Sequence, residues 1–277
     1  MPELPEVETI RRQIAPSVAG QRILSAQVTH PRAVRGYGTP TSFVAAITGR
    51  RVLDVRRRGK VLLLPLDSGD SLLVRLGMSG RLQVVDPDAL SAPHTHVILL
   101  LENGRELRFI DPRTFGGMTL ATGHDPDRMV ELGHYGPEPL DDAFTPETLM
   151  TILAAKRAGI QVVLMDQSQV AGIGKIYADE ACFLAGIHPQ RSADSLSPDD
   201  ITRLHAAIRQ VLSHSIQVRG TSSQDAAYRD AHGDTGGFQH FLHVYQRANQ
   251  ACRVCGASIE YRPIQGRRMH FCPRCQK

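Results

Sequence analysis

The residue at position 2 is proline, so removal of Met1 would leave a terminal secondary amine. Attack of such an amine on the anomeric carbon of a sugar gives an iminium, which is positively charged without taking up a proton. That charge is an electron sink: it acidifies the neighbouring sugar proton and permits elimination, the Schiff-base logic usually supplied by lysine. An α-amino group has an unperturbed pKa of about 8, low enough for a useful neutral fraction at physiological pH. With Met1 retained, the same nitrogen is a tertiary amide and inert. Glu3 stands beside it in the chain, where a carboxyl could deliver a proton to a sugar ring oxygen.

Glu6 falls in what the pattern makes the first turn of a helix, where it can accept hydrogen bonds from open backbone amides. The plainer alternative is an ordinary first-turn acid that complements the helix dipole. Lys60 follows Gly59 between two expected strands, and its plainer alternative is a solvated turn lysine. Cys252-x-x-Cys255 and Cys272-x-x-Cys275 have the spacing of a four-cysteine zinc ribbon, in which two tight turns give two thiolates each to one tetrahedral ion. A full thiolate shell leaves no position for water, so a single Zn2+ there is structural and not catalytic. Cys182 stands apart and reads as a buried helix residue.

Pro5 at a first helical position, Val7, Ile10, Ile14 and Val18 at helical spacing, and Gly20 as a stop define an opening helix. Its positive end lies beside residues 2 to 4 and favours the neutral amine. From Gln21 to about Ala121 the pattern changes to short β-rich runs: Ile23 to Thr29, Val52 to Arg57, Val61 to Leu66, Leu72 to Leu76, Leu82 to Val85, Val97 to Leu101, Glu106 to Ile110 and Met118 to Ala121. Gly, Pro, Asp and Asn punctuate them, as in a β-sandwich or barrel. A loop with Gly133, Gly136, Pro137 and Pro139 separates this half from helical stretches at about 147 to 156, 160 to 167, 175 to 185 and 198 to 218. Residues 220 to 240 show little periodicity and read as a mobile loop, with Thr221, Ser222 and Ser223 as candidate contacts. Ile259, Tyr261 and Ile264, then Met269 and Phe271, read as a hairpin with Gly266 near its tip. The fold expected is therefore α+β and multidomain, with regions at 1–135, 136–235 and 236–277.

The chain of 277 residues can bury a core without disulfides, and its net charge of +4 says little until its distribution is read. Arg50, Arg51, Arg56, Arg57, Arg58 and Lys60 crowd one stretch against Asp54. In the tail, Arg253, Arg262, Arg267, Arg268, Arg274 and Lys277 face Glu260. Such polarisation suits a polyanion such as nucleic acid, although a solvated basic face is the alternative. A secretory signal pattern is not seen and no apolar run approaches the roughly 18 residues of a spanning helix, so no membrane partner is expected and the cytoplasm is the expected location.

Met-Pro-Glu-Leu-Pro-Glu-Val-Glu-Thr at the start, Arg-Arg-Gly-Lys ending at Lys60, Leu-Gly-Met-Ser-Gly at 76 to 80, Asp-Pro-Arg-Thr-Phe-Gly at 111 to 116 and the cysteine quartet together resemble formamidopyrimidine-DNA glycosylases. The resemblance implies an N-terminal β-sandwich with its leading helix, a helix-two-turn-helix domain and a C-terminal zinc ribbon. It implies a bacterial, nucleoid-associated monomer acting on double-stranded DNA that contains oxidised bases or abasic sites. Oxidised purines such as 8-oxoguanine and formamidopyrimidines would be excised through a Schiff base on Pro2, with AP-lyase strand cleavage to follow. Glu3 would open the sugar, Glu6 orient the site, and Lys60 and Arg267 complete the active-site set. A glycosylase must extrude its target and fill the gap. By resemblance Met78 occupies the space left by the base, Phe115 wedges between steps of the other strand, and Arg113 reads the orphaned partner. Taken singly, Met78 and Phe115 would more often be core residues, but Gly77, Gly80, Gly116 and Gly117 beside them favour exposed turns.

The chain departs from the family pattern at Lys175, where Asn is usual, at Arg75 for His, at Gln161 for Lys and at Gln246 for Gly. A cation at a helix N-terminus opposes the dipole unless an anion intervenes, so Lys175 is expected to meet a phosphate as a point charge, as is Arg75. Gln161 removes a charge, and Gln246 could alter a backbone approach. Two other readings stay open: an endonuclease VIII-like glycosylase for oxidised pyrimidines, which usually begins Pro-Glu-Gly-Pro-Glu, and a non-catalytic DNA-binding protein.

Overall fold

The computed structural model describes residues 2–222, 228–264 and 267–277. The chain divides into two compact units, Met1–His134 with Val218–Gly237, and Tyr135–Gln217 with Phe238–Lys277.

In the first unit, helix α1 (Leu4–Val18) begins with Pro5 in its first turn and buries Val7, Ile10, Ile14 and Val18. Two four-stranded antiparallel sheets follow, ordered β1-β6-β7-β5 and β2-β3-β4-β8. Their strands are β1 (Ile23–Val28), β2 (Arg56–Arg58), β3 (Val61–Pro65), β4 (Asp70–Arg75), β5 (Arg81–Val85), β6 (Thr95–Leu101), β7 (Glu106–Ile110) and β8 (Gly117–Thr122). Side chains alternate along a strand, so Leu62 and Leu64, Leu72 and Val74, and Val97, Leu99 and Leu101 share one core with the α1 stripe. This is the expected sandwich with its leading helix.

Two stretches differ from the expectation. Residues Pro40–Ile47 form a helix, α2, where no element was foreseen. Thr39 caps it by accepting from the Ser42 amide at 3.1 Å, and Pro40 fills the first position, so the signal was a capping motif in a segment too short to show periodicity. Conversely, the run expected as a strand from Val52 is irregular until Arg56, because the Asp54 carboxylate takes the Val55 amide at 2.7 Å and removes it from the ladder.

The segment Val218–Gly237 belongs to the first unit, whereas residues through 235 were expected with the second region. Nor do its described residues form a loose loop. Asp230 is fully buried and accepts from the amides of His232 and Asp234, each at 3.0 Å, and from Gln13 of α1 at 2.9 Å. Gln13 in turn accepts the Ala231 amide at 2.9 Å. Sequence periodicity cannot report such docking, because its partners lie on α1, far back in the chain.

The second unit holds α3 (Pro146–Leu153), α4 (Ile160–Met165), α5 (Lys175–Ala185) and α6 (Pro198–Gln217), then a hairpin of β9 (Glu260–Ile264) and β10 (Arg267–Phe271). Gly186 closes α5 at φ +71°, a left-handed cap that suits glycine. The Glu180 carboxylate, 1 % exposed, accepts the consecutive amides of His243, Val244 and Tyr245 at 2.8, 2.9 and 2.8 Å. That bracket hangs the segment leading to the hairpin on α5. Among the described residues no helix is long and apolar enough to cross a membrane.

Candidate active site

The N-terminal residues are packed into the first unit. Pro2 and Glu3 are buried, and Glu3 is the N-cap of α1. Glu6 uses both oxygens. One accepts the Glu3 amide at 2.8 Å and the other the Thr221 amide at 2.7 Å. A first-turn carboxylate thus does more than complement the dipole: it ties the residue next to Pro2 to the returning segment. Gly220 makes this approach possible, since its φ is +82° and a Cβ there would stand 2.8 Å from the Glu6 carboxylate. Ser222 continues the wall, accepting the Gly236 amide and donating to the Tyr228 carbonyl, each at 3.0 Å. Ser223, a third candidate contact, lies outside the described residues.

Lys60 is half-buried at the second corner of the two-residue turn joining β2 to β3. The first corner, Gly59, has φ +55°, as a two-residue hairpin turn with glycine leading requires.

Met78, Arg113 and Phe115 project from two turns fused backbone to backbone. Met78 is 40 % exposed and Phe115 57 %, so both are surface residues and not core. A Cβ at Gly77, whose φ is +62°, would fall 2.5 Å from the Gly116 nitrogen, and one at Gly116 would fall 2.4 Å from the Arg75 carbonyl oxygen. Asp111, fully buried, pins the junction: its carboxylate accepts the Ser79 hydroxyl at 2.6 Å and the Gly116 amide at 2.8 Å. Its own carbonyl accepts the His96 ring at 2.9 Å. On the far side, the Arg35 guanidinium donates to the Thr114 and Phe115 carbonyls at 3.2 Å each. Exposed Arg113 is therefore carried on a turn held at both ends. Arg75 donates to the Glu131 carbonyl at 3.3 Å and joins Arg35 and Phe115 in lining a cavity of about 130 Å³. Asp111 and Arg35 were missed in the sequence. An Asp heading Asp-Pro-Arg-Thr is a turn signal that could have found the first; only the fold reveals the second.

The second unit carries the remaining candidates. Lys175, at the start of α5, is already engaged: its Nζ lies 3.0 Å from the fully buried Asp179, 3.2 Å from His270 Nδ1 and 4.6 Å from the Tyr245 ring centre. The dipole penalty of a cation there is offset within the helix, one turn on. The backbone of Arg267 opens β10 opposite Ile264; its side chain is outside the description. Cys252, Cys255, Cys272 and Cys275 place their sulfurs within 4.8 Å of one another, a group that could hold a metal ion. Cys182 is fully buried, and burial pushes its thiol well up, leaving it inert.

The family described as "Formamidopyrimidine-DNA glycosylase N-terminal domain" matches residues 1–118, and "Formamidopyrimidine-DNA glycosylase H2TH domain" matches residues 135–227. A formamidopyrimidine-DNA glycosylase of Symbiobacterium thermophilum is 44 % identical over 277 residues, covering 100 % of this chain and 89 % of that one. The chain belongs to the formamidopyrimidine-DNA glycosylase family. The crystal structure of the MutM (Fpg) protein of Thermus thermophilus superposes with a TM-score of 0.88 at 40 % identity, covering 99 % of this chain and 98 % of that one. A Lactococcus lactis Fpg in complex with a Fapy-dG-containing DNA gives 0.86 at 32 % identity, covering 99 % and 100 %.

Two of the four departures from the family's pattern converge in the second unit. Gln161, 4 % exposed, donates through its side-chain amide to Asp179, the carboxylate that holds Lys175. A single buried acid thus organises both substituted positions. Gln246 keeps φ +56°, the backbone of a glycine, at a cost of about 1 kcal/mol.

Proposed function

We propose that this protein is a bifunctional DNA glycosylase and AP lyase that excises oxidised purines, 8-oxoguanine and formamidopyrimidines, in base excision repair. The observation that carries the reading is the packing of the N-terminus. Pro2 and Glu3 are buried against a helix start whose Glu6 is fixed to the returning segment at Thr221, so a nucleophile and an acid are held at one place. The lone pair of the Pro2 nitrogen forms the bond to C1′ as the base leaves with the electrons of its glycosidic bond, and the proton shed by the Pro2 nitrogen neutralises the departing base. Glu3 gives its proton to the ring oxygen, the C1′–O bond breaks as the nitrogen lone pair forms the iminium, and the Glu3 carboxylate left behind takes the acidified C2′ proton, whose electrons pass to the iminium. The 3′ phosphate then departs by elimination. Lys60 and Arg267 hold phosphates flanking the lesion, while Arg75 and Lys175 contact the backbone further out. Met78, Arg113 and Phe115 fill the vacated stack and read the partner base.

The four cysteines fit one structural Zn2+. Tetrahedral thiolates about 2.3 Å from the ion stand about 3.8 Å apart, against 3.9 Å between Cys252 and Cys275 and 3.5 Å between Cys255 and Cys272. Bound there, zinc would supply rigidity to the basic hairpin and no chemistry to the reaction. The protein would act as a monomer in the bacterial cytoplasm, with a sandwich, a helix-two-turn-helix region and the ribbon sharing the work.

The test is borohydride trapping with duplexes containing 8-oxoguanine or an oxidised pyrimidine, after mass spectrometry has established that Met1 is absent. Trapping with the purine lesion is expected. Trapping confined to the pyrimidine would favour the endonuclease VIII-like reading, and none with either duplex would leave a DNA-binding protein. Exposure of Met78, Arg113 and Phe115 on one fused support favours the purine enzyme.

A further inference from the structure

Helix α1 and the turn that carries Lys60 are joined through charged side chains. Glu8, two residues beyond Glu6, collects three arginines: Arg11 at 2.8 and 2.9 Å, Arg12 at 2.8 Å and, from β2, Arg57 Nε at 3.3 Å. Arg57 and Glu8 side chains are 10 % and 11 % exposed, so this pair is sheltered from the screening that weakens surface ion pairs. Arg57 then spends a second nitrogen on the chain ahead of it: Nη1 donates to the Gly59 carbonyl at 2.9 Å.

That carbonyl has a particular place. In the two-residue turn Gly59–Lys60 it belongs to the central peptide, the unit whose rotation interconverts the two common hairpin turns. A glycine at the first corner makes the rotation easy. Whichever way the Gly59 carbonyl points, the Lys60 amide points opposite, and the direction of the Lys60 side chain follows.

We infer that Glu8 and Arg57 form a clasp that sets the Gly59–Lys60 peptide against α1, making Arg57 a positioning residue for Lys60. The inference rests on the reading of Lys60 as an active-site lysine. The clasp needs both ends of a planar fork, one nitrogen on Glu8 and another on the Gly59 carbonyl. Lysine at position 57 keeps the charge but, as a point charge on a flexible stem, cannot hold that geometry.

A double-mutant cycle tests it, read as the single-turnover rate of 8-oxoguanine excision and the affinity for an uncleaved duplex. Lys60→Ala is expected to slow excision. In the presence of Lys60, Arg57→Gln and Arg57→Lys should each slow excision about tenfold with under threefold loss of affinity; in the Lys60→Ala background, both should change the rate by less than twofold. Glu8→Gln, which leaves Arg57 in place without its charged anchor, should follow in the same direction and serves if the Arg57 variants do not fold. Equal slowing in both backgrounds overturns the clasp, as does full rescue by Arg57→Lys, which would mark a phosphate contact. Unchanged excision by Lys60→Ala removes the premise itself; persistence of the trapped Pro2 complex in that variant shows that the glycosylase reading survives its loss.

Discussion

Replacing Asp111 with alanine should loosen the turn that carries Arg113 and Phe115 before it disturbs the sheets behind it. The carboxylate is fully buried and accepts the Ser79 hydroxyl at 2.6 Å and the Gly116 amide at 2.8 Å. Hydrogen bonds to a charged group contribute about 1.5–3 kcal/mol each, and a buried amide left without an acceptor costs about 1–3 kcal/mol. Alanine therefore costs about 3–5 kcal/mol. Asparagine can turn its carbonyl to Gly116 and its amide to the Ser79 oxygen, keeping both contacts as neutral bonds, and costs about 1–2 kcal/mol. For a unit of roughly 150 residues each kcal/mol moves Tm by about 2–4 °C. The alanine variant should then melt well below the asparagine variant in a calorimetric scan. Excision of 8-oxoguanine opposite cytosine and opposite adenine, run beside the melts, reports the turn itself. The preference between partners should fall about tenfold for alanine, near 1.4 kcal/mol, and survive in asparagine. If the two variants melt within 2 °C of each other and keep the same preference, Asp111 is not the anchor.

Gly77→Ala places a Cβ 2.5 Å from the Gly116 nitrogen at a φ of +62°, and backbone cannot retreat as a flexible side chain can; a loss of more than about 2 kcal/mol is expected by denaturant titration. Lys175→Met strips the buried Asp179 of its ammonium, so it should destabilise the protein, and adding Asp179→Asn should recover part of the loss, a coupling readable by thermal melts. In DNA binding, Lys175→Ala should flatten the salt dependence by no more than about one unit, since its charge is shared with Asp179. Burial would raise the Glu8 carboxyl, but hydrogen bonds and charges from Arg11, Arg12 and Arg57 bring it from 4.5 to about 2. The stabilisation is then complete above about pH 4.5 and lost as pH falls towards 2, so wild type and Glu8→Gln should differ in urea stability at pH 7 and converge near pH 2.

What the sequence revealed of the fold was whatever repeats or has a local signature. The α1 stripe, the alternating runs of the two sheets and α6 announced themselves through period, and the cysteine pairs through spacing. Helix α2 was hidden because eight residues are too few for a period to emerge. The site was legible as motifs, and Met78 and Phe115 stand exposed where glycines suggested turns. Its supports were not. Asp111, Arg35, Arg57 and Asp179 act across sheets or helices on partners whose proximity is a property of the fold, and an isolated Asp or Arg gives no sign of what it will meet.

The return of Val218–Gly237 to the first unit also governs when that unit can be finished. A ribosome that has made His134 has made every strand of the two sheets, yet Glu6 and Gln13 still lack the Thr221 and Ala231 amides they accept in the folded chain. At about 5–20 residues per second those partners arrive roughly 5–20 s later. During that interval the nascent chain carries every strand of the sandwich without the segment that packs on Glu6 and Gln13, so a message broken between His134 and Val218 encodes the two sheets and leaves both carboxylate and amide acceptors without these partners.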